Sequence, residues 1–313
     1  MSQQVGPWLG GQPVTVRTAA KINLHLGVGA PRADGFHPIT TVYQAIGLCD
    51  DVTAHRAEDL EISISATDWI DVGQVPVDSD NLAHRAALAL GLHHGIEVTG
   101  RLMIEKAIPV AGGLAGGSAD AAAALVALDR LHELDTSDDD LMRIAADLGS
   151  DVPFALIGGT ALGTGRGEIV TPVADAGTWW WVLVPDRVGL PTPEVYRHFD
   201  TLFPHASPTP PDAEAVLAAL LTGDPLTLAR ALHNDLQEAA VDLRPELGVL
   251  LARGETEGAL RGLVSGSGPT CLFLCESADH ARDLAGALMR SGHEIVLVAN
   301  GAVAGAHLVR DHA

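Results

Sequence analysis

The chain has 313 residues, enough for two domains and a substantial core. Its 19 lysines and arginines stand against 40 aspartates and glutamates, a formal charge of −21. That balance argues against nucleic acid and anionic membrane surfaces as partners, and an anionic ligand must be met by locally gathered cations. Lys21 and Lys106 are the only lysines. Cys49, Cys271 and Cys275 show no metal-ligand spacing, and the last two lie in an apolar run, so reduced core thiols and a cytoplasmic setting are expected. No basic segment followed by an apolar run opens the sequence, and no apolar stretch reaches membrane-spanning length. Residues 1–13 read as a disordered extension, and a monomer or weak homodimer is expected.

Val14–Thr18 alternates as a strand does, and the extended pattern continues through Leu26. Lys21 and Asn23 are two apart and share one strand face, which is either a site edge or a solvated edge. Residues 30–38 form a structured turn with Asp34-Gly35 at its tip, presenting Phe36 and His37 together. Ile39–Ile46 and Leu60–Ser65 read as strands. A helix runs from Leu82 to about His94, with Asn81 among the cap-type residues before it and Gly95 behind. Leu102–Ile104 is a short strand that delivers Glu105-Lys106 to the next stretch.

That stretch, PVAGGLAGGSADAAAAL over residues 109–125, organises the chain. Glycines let backbone N–H groups come close to a ligand, and a helix N-terminus placed behind them makes an anion site, most often for phosphate. Ser118 stands where a P-loop requires lysine, and no G-x-G-x-x-G runs through these glycines, so both nucleotide fingerprints fail. A helix over 117–132 follows, then another from a Ser137 cap to about Gly149. In Ser150-Asp151-Val152-Pro153-Phe154, Pro153 biases Val152 to an extended conformation, and Asp151 is either a turn carboxylate or a catalytic one. Residues 155–167 are glycine-rich and strand-like, and a domain boundary is placed near Asp175, giving 1–174 and 175–313. A strand over Trp179–Val184 precedes the loop 185–193, which contains Thr192. Helices are expected over about 213–221, 225–239 and 245–253. Ser265-Gly266-Ser267-Gly268 is a second small-residue loop before the strand Cys271–Cys275. A helix over 278–290 and a strand over Glu294–Val298 close a half that reads as a ferredoxin-like α/β sandwich.

Ala20-Lys21-Ile22-Asn23-Leu24, the 109–118 glycine loop and Ser265-Gly266-Ser267-Gly268 occur in that order and span nearly the whole chain. The set resembles the GHMP small-molecule kinases. Residues 32–37, 80–82, 150–154 and 191–193 narrow the resemblance to members acting on a cytidine-diphosphate-linked methylerythritol in the non-mevalonate route to isoprenoid precursors. The resemblance implies a two-domain α+β fold, with a ribosomal-protein-S5-domain-2-like N-terminal half, a ferredoxin-like C-terminal half and the site in the cleft between them. It implies ATP, magnesium, and phosphorylation of the substrate's 2-hydroxyl. Asp151 and Lys21 would be catalytic, and Asn23, Phe36, His37, Thr192 and Tyr196 would hold the substrate, with Phe36 where the family commonly has tyrosine. Pro109, Val110, Ala111, Gly112, Gly113, Leu114, Ala115, Gly116, Gly117 and Ser118 would wrap ATP, with Asn81 and Lys106 near the nucleotide. Ser265, Gly266, Ser267 and Gly268 would close the site, and Ser118, a hydroxyl at the mouth of the helix, is the one metal ligand named from the sequence. A kinase acting on mevalonate or homoserine, and a non-catalytic nucleotide-binding relative, are the competing readings.

Overall fold

The computed structural model describes residues 12–110 and 112–309. The extension expected over residues 1–13 therefore falls almost wholly outside the described residues.

The N-terminal half opens with strands β1 (Val14–Val28), β2 (Ile39–His55) and β3 (Leu60–Ala66), then helix α1 (Leu82–His94) and strand β4 (Gly100–Lys106). Helices α2 (Gly116–His132), α3 (Asp138–Leu148) and α4 (Val152–Ile157) follow, then strands β5 (Thr160–Thr164) and β6 (Ile169–Pro172). The C-terminal half runs β7 (Trp179–Val184), α5 (Thr192–Leu202), α6 (Glu214–Leu220), α7 (Pro225–Ala231), β8 (His233–Asn234), α8 (Leu236–Leu243) and α9 (Pro245–Thr256). It ends with β9 (Arg261–Val264), β10 (Cys271–Cys275), α10 (Ala278–Arg290), β11 (Leu297–Gly301) and β12 (His307–Leu308).

β1 and β2 form a long antiparallel hairpin that pairs Asn23 with Tyr43, with a register shift just beyond, between Asn23 and His25. One continuous sheet runs β12-β1-β2-β11-β7-β10-β9. Its C-terminal part, β11-β7-β10-β9, is the antiparallel order of a split βαβ sandwich, and with the helices it makes the fold α+β. The alanine-rich face of α2 is what brings that helix against the sheet. Ala119 and Ala121–Ala124 are fully buried, and their small side chains let α2 seat on β1 and β2 with α1 alongside.

Asp175 ties β2 and β5 to the start of β7. One carboxylate oxygen accepts from Trp179 Nε1 at 2.8 Å and the other from Thr160 Oγ1 at 2.6 Å and Gln44 Nε2 at 3.1 Å. Gln44 in turn accepts from Trp181 Nε1 at 3.0 Å. Both indoles are fully buried, so these bonds satisfy donors that would otherwise be stranded.

Four local expectations are corrected. Val152 is helical rather than extended, because Pro153 sits in the first turn of α4, where its missing N–H costs nothing. The strand-like reading of residues 155–167 holds only from Thr160, since α4 continues to Ile157. The single helix expected over 225–239 is broken at 232–235, where His233 and Asn234 pair in parallel with His25 and Leu26 of β1. The last long strand lies at Leu297–Gly301, three residues later than expected.

Candidate active site

The strand β1 carries Lys21 and Asn23 into the interior, where both are buried rather than solvated. Lys21 Nζ donates to Asn23 Oδ1 at 2.9 Å, Asn23 Nδ2 donates to Thr41 Oγ1 at 2.8 Å, and Thr41 Oγ1 donates to the His25 carbonyl at 2.7 Å. This relay fixes the rotamer of a long cationic side chain that would otherwise be mobile. Asp151 is the residue before α4, and its carboxylate makes no capping bond there. It turns instead to Lys21, with Nζ–Oδ2 at 3.7 Å. The Lys21 ammonium also sits 5.6 Å from the Tyr43 ring centroid. Burial, then the charge of Asp151, holds the Tyr43 phenol well above its ordinary range, so it stays a donor.

The glycine loop ends at Ala115, which adopts a left-handed backbone (φ 58°) and gives no side-chain cap to α2. The first hydrogen bond of the helix runs from Ala119 N–H to the Ala115 carbonyl. The N–H groups of Gly116, Gly117 and Ser118 are thus the ones left at the helix end. All three residues line a cavity of about 880 Å³, along with Pro109, Gly112, Gly113 and Ala115. Lys21, Asn23, Asp151, Thr192, Gly266, Ser267 and Gly268 line the same cavity. A helix end with free N–H groups, suited to an anion, and a carboxylate–ammonium pair therefore open onto one volume large enough for a nucleotide and a second substrate.

The far end of the cavity is aromatic. Phe36, on the turn between β1 and β2, is 51% exposed, and the Arg166 guanidinium lies 5.0 Å from its ring centroid. His37 is buried and donates from Nδ1 to the Gly29 carbonyl at 2.8 Å, since a carbonyl can only accept. Its Nε2 is thereby aimed at Asp200, 3.5 Å away, and its ring packs against Tyr196 in a tilted pair, 4.9 Å between centroids and 39° between planes. Burial and the neighbouring Asp151 raise the Tyr196 phenol above its ordinary range.

Several expected residues lie elsewhere. Asn81 caps α1, accepting from Ala83 N and donating to the Pro76 carbonyl, and it does not line the cavity. Lys106 is buried beneath the helix end, bonded to Asp50 Oδ2 at 2.5 Å and Asp120 Oδ2 at 2.7 Å. Burial lowers the Lys106 pKa, but the two carboxylates outweigh it and hold the ammonium above its ordinary range. Burial, reinforced by Asp50, pushes Asp120 up. The other Asp50 oxygen accepts from the N–H groups of Ala107 and Ile108, so the cluster ties β2, the end of β4 and α2 together. Leu114 is buried and its carbonyl accepts from Lys21 N–H, while Val110 is half-buried away from the cavity lining. Ala111 lies outside the described residues. Ser265 is buried, with its hydroxyl on the Gly113 carbonyl at 3.1 Å. Thr192 Oγ1 and Ser267 Oγ are 2.8 Å apart.

Tyr43, Arg166, Arg197 and Asp200 line the cavity and were not singled out from the sequence. Tyr43 had a usable signal, because a β1–β2 hairpin in this register places it opposite Asn23. Arg166 and Asp200 had none, being brought in only by tertiary packing.

Two family models match the chain: GHMP kinases N terminal domain over residues 81–159 and GHMP kinases C terminal over residues 216–294. The fold and cleft are those of this kinase class. A 4-diphosphocytidyl-2-C-methyl-D-erythritol kinase from Nocardioides sp. is 68% identical over 294 residues, covering 94% of this chain and 99% of its own length. The Nocardia farcinica protein of the same name is 50% identical over 299 residues, covering 95% of this chain and 96% of its own. The crystal structure of a 4-(cytidine 5'-diphospho)-2C-methyl-D-erythritol kinase superposes with a TM-score of 0.75 at 32% identity, covering 92% of this chain and 99% of that one. The crystal structure of L. major mevalonate kinase shares the fold alone, with a TM-score of 0.72 at 16% identity and coverage of 96% and 98%. The chain belongs to the GHMP kinases and, within them, to the 4-diphosphocytidyl-2-C-methyl-D-erythritol kinase family.

Proposed function

We propose that the cavity transfers the γ-phosphoryl group of ATP to the 2-hydroxyl of 4-diphosphocytidyl-2-C-methyl-D-erythritol, giving the 2-phosphate and ADP in the non-mevalonate route to isoprenoid precursors. The observation that carries this reading is the Asp151 carboxylate, 3.7 Å from the Lys21 ammonium and facing the same volume as the uncapped end of α2. Phosphoryl transfer has a loose transition state, so positioning and charge neutralisation supply most of the catalysis. An alcohol is too weak an acid for a carboxylate to deprotonate early. Asp151 orients the hydroxyl and takes its proton late, when the nucleophile has given up charge. Lys21, 3.7 Å from that carboxylate, stabilises the charge developing on the transferred group. The glycine-loop N–H groups hold the ATP phosphates.

Ser118 offers a hydroxyl at the helix end and Asp151 a carboxylate across the cavity, an all-oxygen set of the kind magnesium takes beside phosphates. Magnesium held by Ser118 and the ATP phosphates would neutralise charge there. The cytosine sits against Phe36, with His37 and Tyr196 completing its pocket and Asn23 and Thr192 nearer the alcohol. Lys106 and Asn81 support the nucleotide side from beneath. The cleft is read as lying between units of residues 1–174 and 175–313. The chain is read as a cytoplasmic monomer or weak homodimer, a setting supported by buried thiols at Cys271 and Cys275, which burial pushes up to about 12.

A coupled ADP-release assay with ATP and magnesium tests the reading, offering the cytidyl methylerythritol beside mevalonate and homoserine. Turnover with the cytidyl compound alone is expected. Turnover with another alcohol would keep the phosphoryl-transfer chemistry and overturn the base pocket, and no turnover with any would favour a non-catalytic relative.

A further inference from the structure

The break in the helical run at 232–235 puts a buried amide at a junction that the chemistry described above leaves unused. Asn234 is 8% exposed, and its side chain is fully engaged. Nδ2 donates to the Val264 carbonyl at 2.9 Å and to the Gly266 carbonyl at 2.8 Å, and Oδ1 accepts from Leu236 N–H at 2.9 Å. The backbone around it is tied to β1. His233 and Asn234 pair in parallel with His25 and Leu26, Asp235 N–H donates to the Leu26 carbonyl at 2.9 Å, and Asp235 Oδ2 accepts from Val28 N–H at 2.8 Å. Three residues upstream on β1 stands Asn23, and two further back Lys21.

The other end of this connection is the 265–268 turn. Gly266 has φ 55°, and a Cβ built on it would lie 3.3 Å from Asn23 Oδ1 and 3.5 Å from Lys21 Nζ. The turn therefore lies against the relay that orients the catalytic ammonium, and the Asn234 amide ties its Gly266 carbonyl to the segment paired with β1, beside the bonds that Ser265 and Ser267 make to other elements. We propose that Asn234 is a positioning residue for phosphoryl transfer, fixing the 265–268 turn against the strand that bears Lys21 and Asn23. Only an amide serves, since the site presents two acceptors and one donor to it. A carboxylate would face two carbonyls, and an aliphatic group would leave all three backbone partners unsatisfied. Misplacing a reacting group by about 1 Å costs on the order of 100-fold in rate, so the consequence falls on turnover rather than on binding.

The activity arm of the test rests on the kinase reading, whereas the exchange arm does not. In the full-length protein, Asn234→Ala and the milder Asn234→Ser are compared with Gln237→Ala, whose side chain accepts from Val264 N–H on the same strand but makes no bond to residue 266. Amide hydrogen exchange of the 264–268 segment is expected to quicken in the Asn234 variants, with α2 protected as before. The turnover number kcat is expected to fall about 10- to 100-fold, with KM for both substrates within about threefold and Gln237→Ala within about twofold of wild type. Unchanged exchange at 264–268, or quickened exchange with unchanged kcat, would overturn the proposal. An equal loss of kcat in Gln237→Ala would overturn it too, by reducing Asn234 to general stability. Should wild type fail to phosphorylate the cytidyl alcohol, the kinase reading falls and the exchange result alone decides. If Asn234→Ala does not fold, Asn234→Ser is read by the same criteria.

Discussion

A Cβ placed on Gly113 would lie 2.3 Å from the carbonyl oxygen of Ser265. The glycine loop and the second small-residue turn are thus in backbone contact, 152 residues apart in sequence, with the Ser265 hydroxyl on the Gly113 carbonyl as well. Gly113 also has φ 78°, where a side chain is strained in any case. Gly113→Ala is expected to displace one loop from the other and to lower both thermal stability and turnover. Ala115→Gly, at φ 58°, relieves strain and is expected to change stability by less than about 1 kcal/mol. Thermal melts of the two variants side by side check this, and a harmless Gly113→Ala would refute the contact.

Phe36 is half exposed, so truncating it should cost little stability while removing a stacking surface. Stacking of a base on an aromatic ring is worth about 1–3 kcal/mol, which corresponds to roughly 5- to 150-fold in affinity. Phe36→Ala should raise KM for the cytidyl substrate by a factor in that range, with kcat changed less and KM for ATP unmoved. Phe36→Tyr should retain the stack. Steady-state kinetics with each substrate varied in turn gives the answer. A loss confined to kcat would remove Phe36 from base recognition.

Lys106 neutralises two buried carboxylates, Asp50 and Asp120. Lys106→Met leaves both without a cation and should destabilise the fold by about 3–5 kcal/mol. Asp120 Oδ1 has no hydrogen-bond partner, and the carboxyl is already pushed up by burial and Asp50. Asp120→Asn keeps an oxygen for Lys106 and should cost less, about 1–3 kcal/mol for the amide N–H groups it buries. Denaturant unfolding of the two variants separates a supporting role from a nucleotide contact, which would instead appear as a raised KM for ATP in a protein of normal stability.

Two histidines beside the Asn234 junction should titrate on opposite sides of the ordinary value of about 6.5. The hydrogen bond to Asp235 holds His233 above it, and burial holds His25 below it. The raised value at His233 means that its stabilisation is complete below about pH 6.5 and is lost as pH rises through the folded value. Asp235 is held low by His233 and Val28 N–H against the opposing effect of burial, so its contribution is present above about pH 4 and lost as pH falls through its folded value. Imidazole NMR titrations should show the split, and Asp235→Asn should bring His233 down. A common midpoint for the two rings would contradict the hydrogen-bond assignment.

Much of the glycine-loop end of the cavity was legible in the sequence because its signals are local. Glycines before an alanine-rich run predict an exposed helix end, and Lys21 and Asn23 two apart on a strand predict a shared face. The expectation for Val152 failed because the bias before proline is weaker than the demand for a helix start at Pro153. The break at 232–235 was invisible because the apolar pattern runs through it, and only pairing with β1 explains it. Arg166 and Asp200 reach the cavity from segments whose composition says nothing about where they fold. The burial of Lys106 was likewise hidden, since its two partners lie 56 and 14 residues away.

The most direct test of the central claim is turnover of Asp151→Asn, measured with ATP affinity in the same preparation. The substitution keeps the shape of the side chain and its place before α4 while removing the carboxylate proposed to accept the alcohol proton and the charge opposite Lys21. A fall of about 10²- to 10⁴-fold in kcat with ATP affinity within about twofold of wild type is the expected result. Near-wild-type turnover would contradict the account, since the cavity would then phosphorylate its substrate without the carboxylate that faces Lys21.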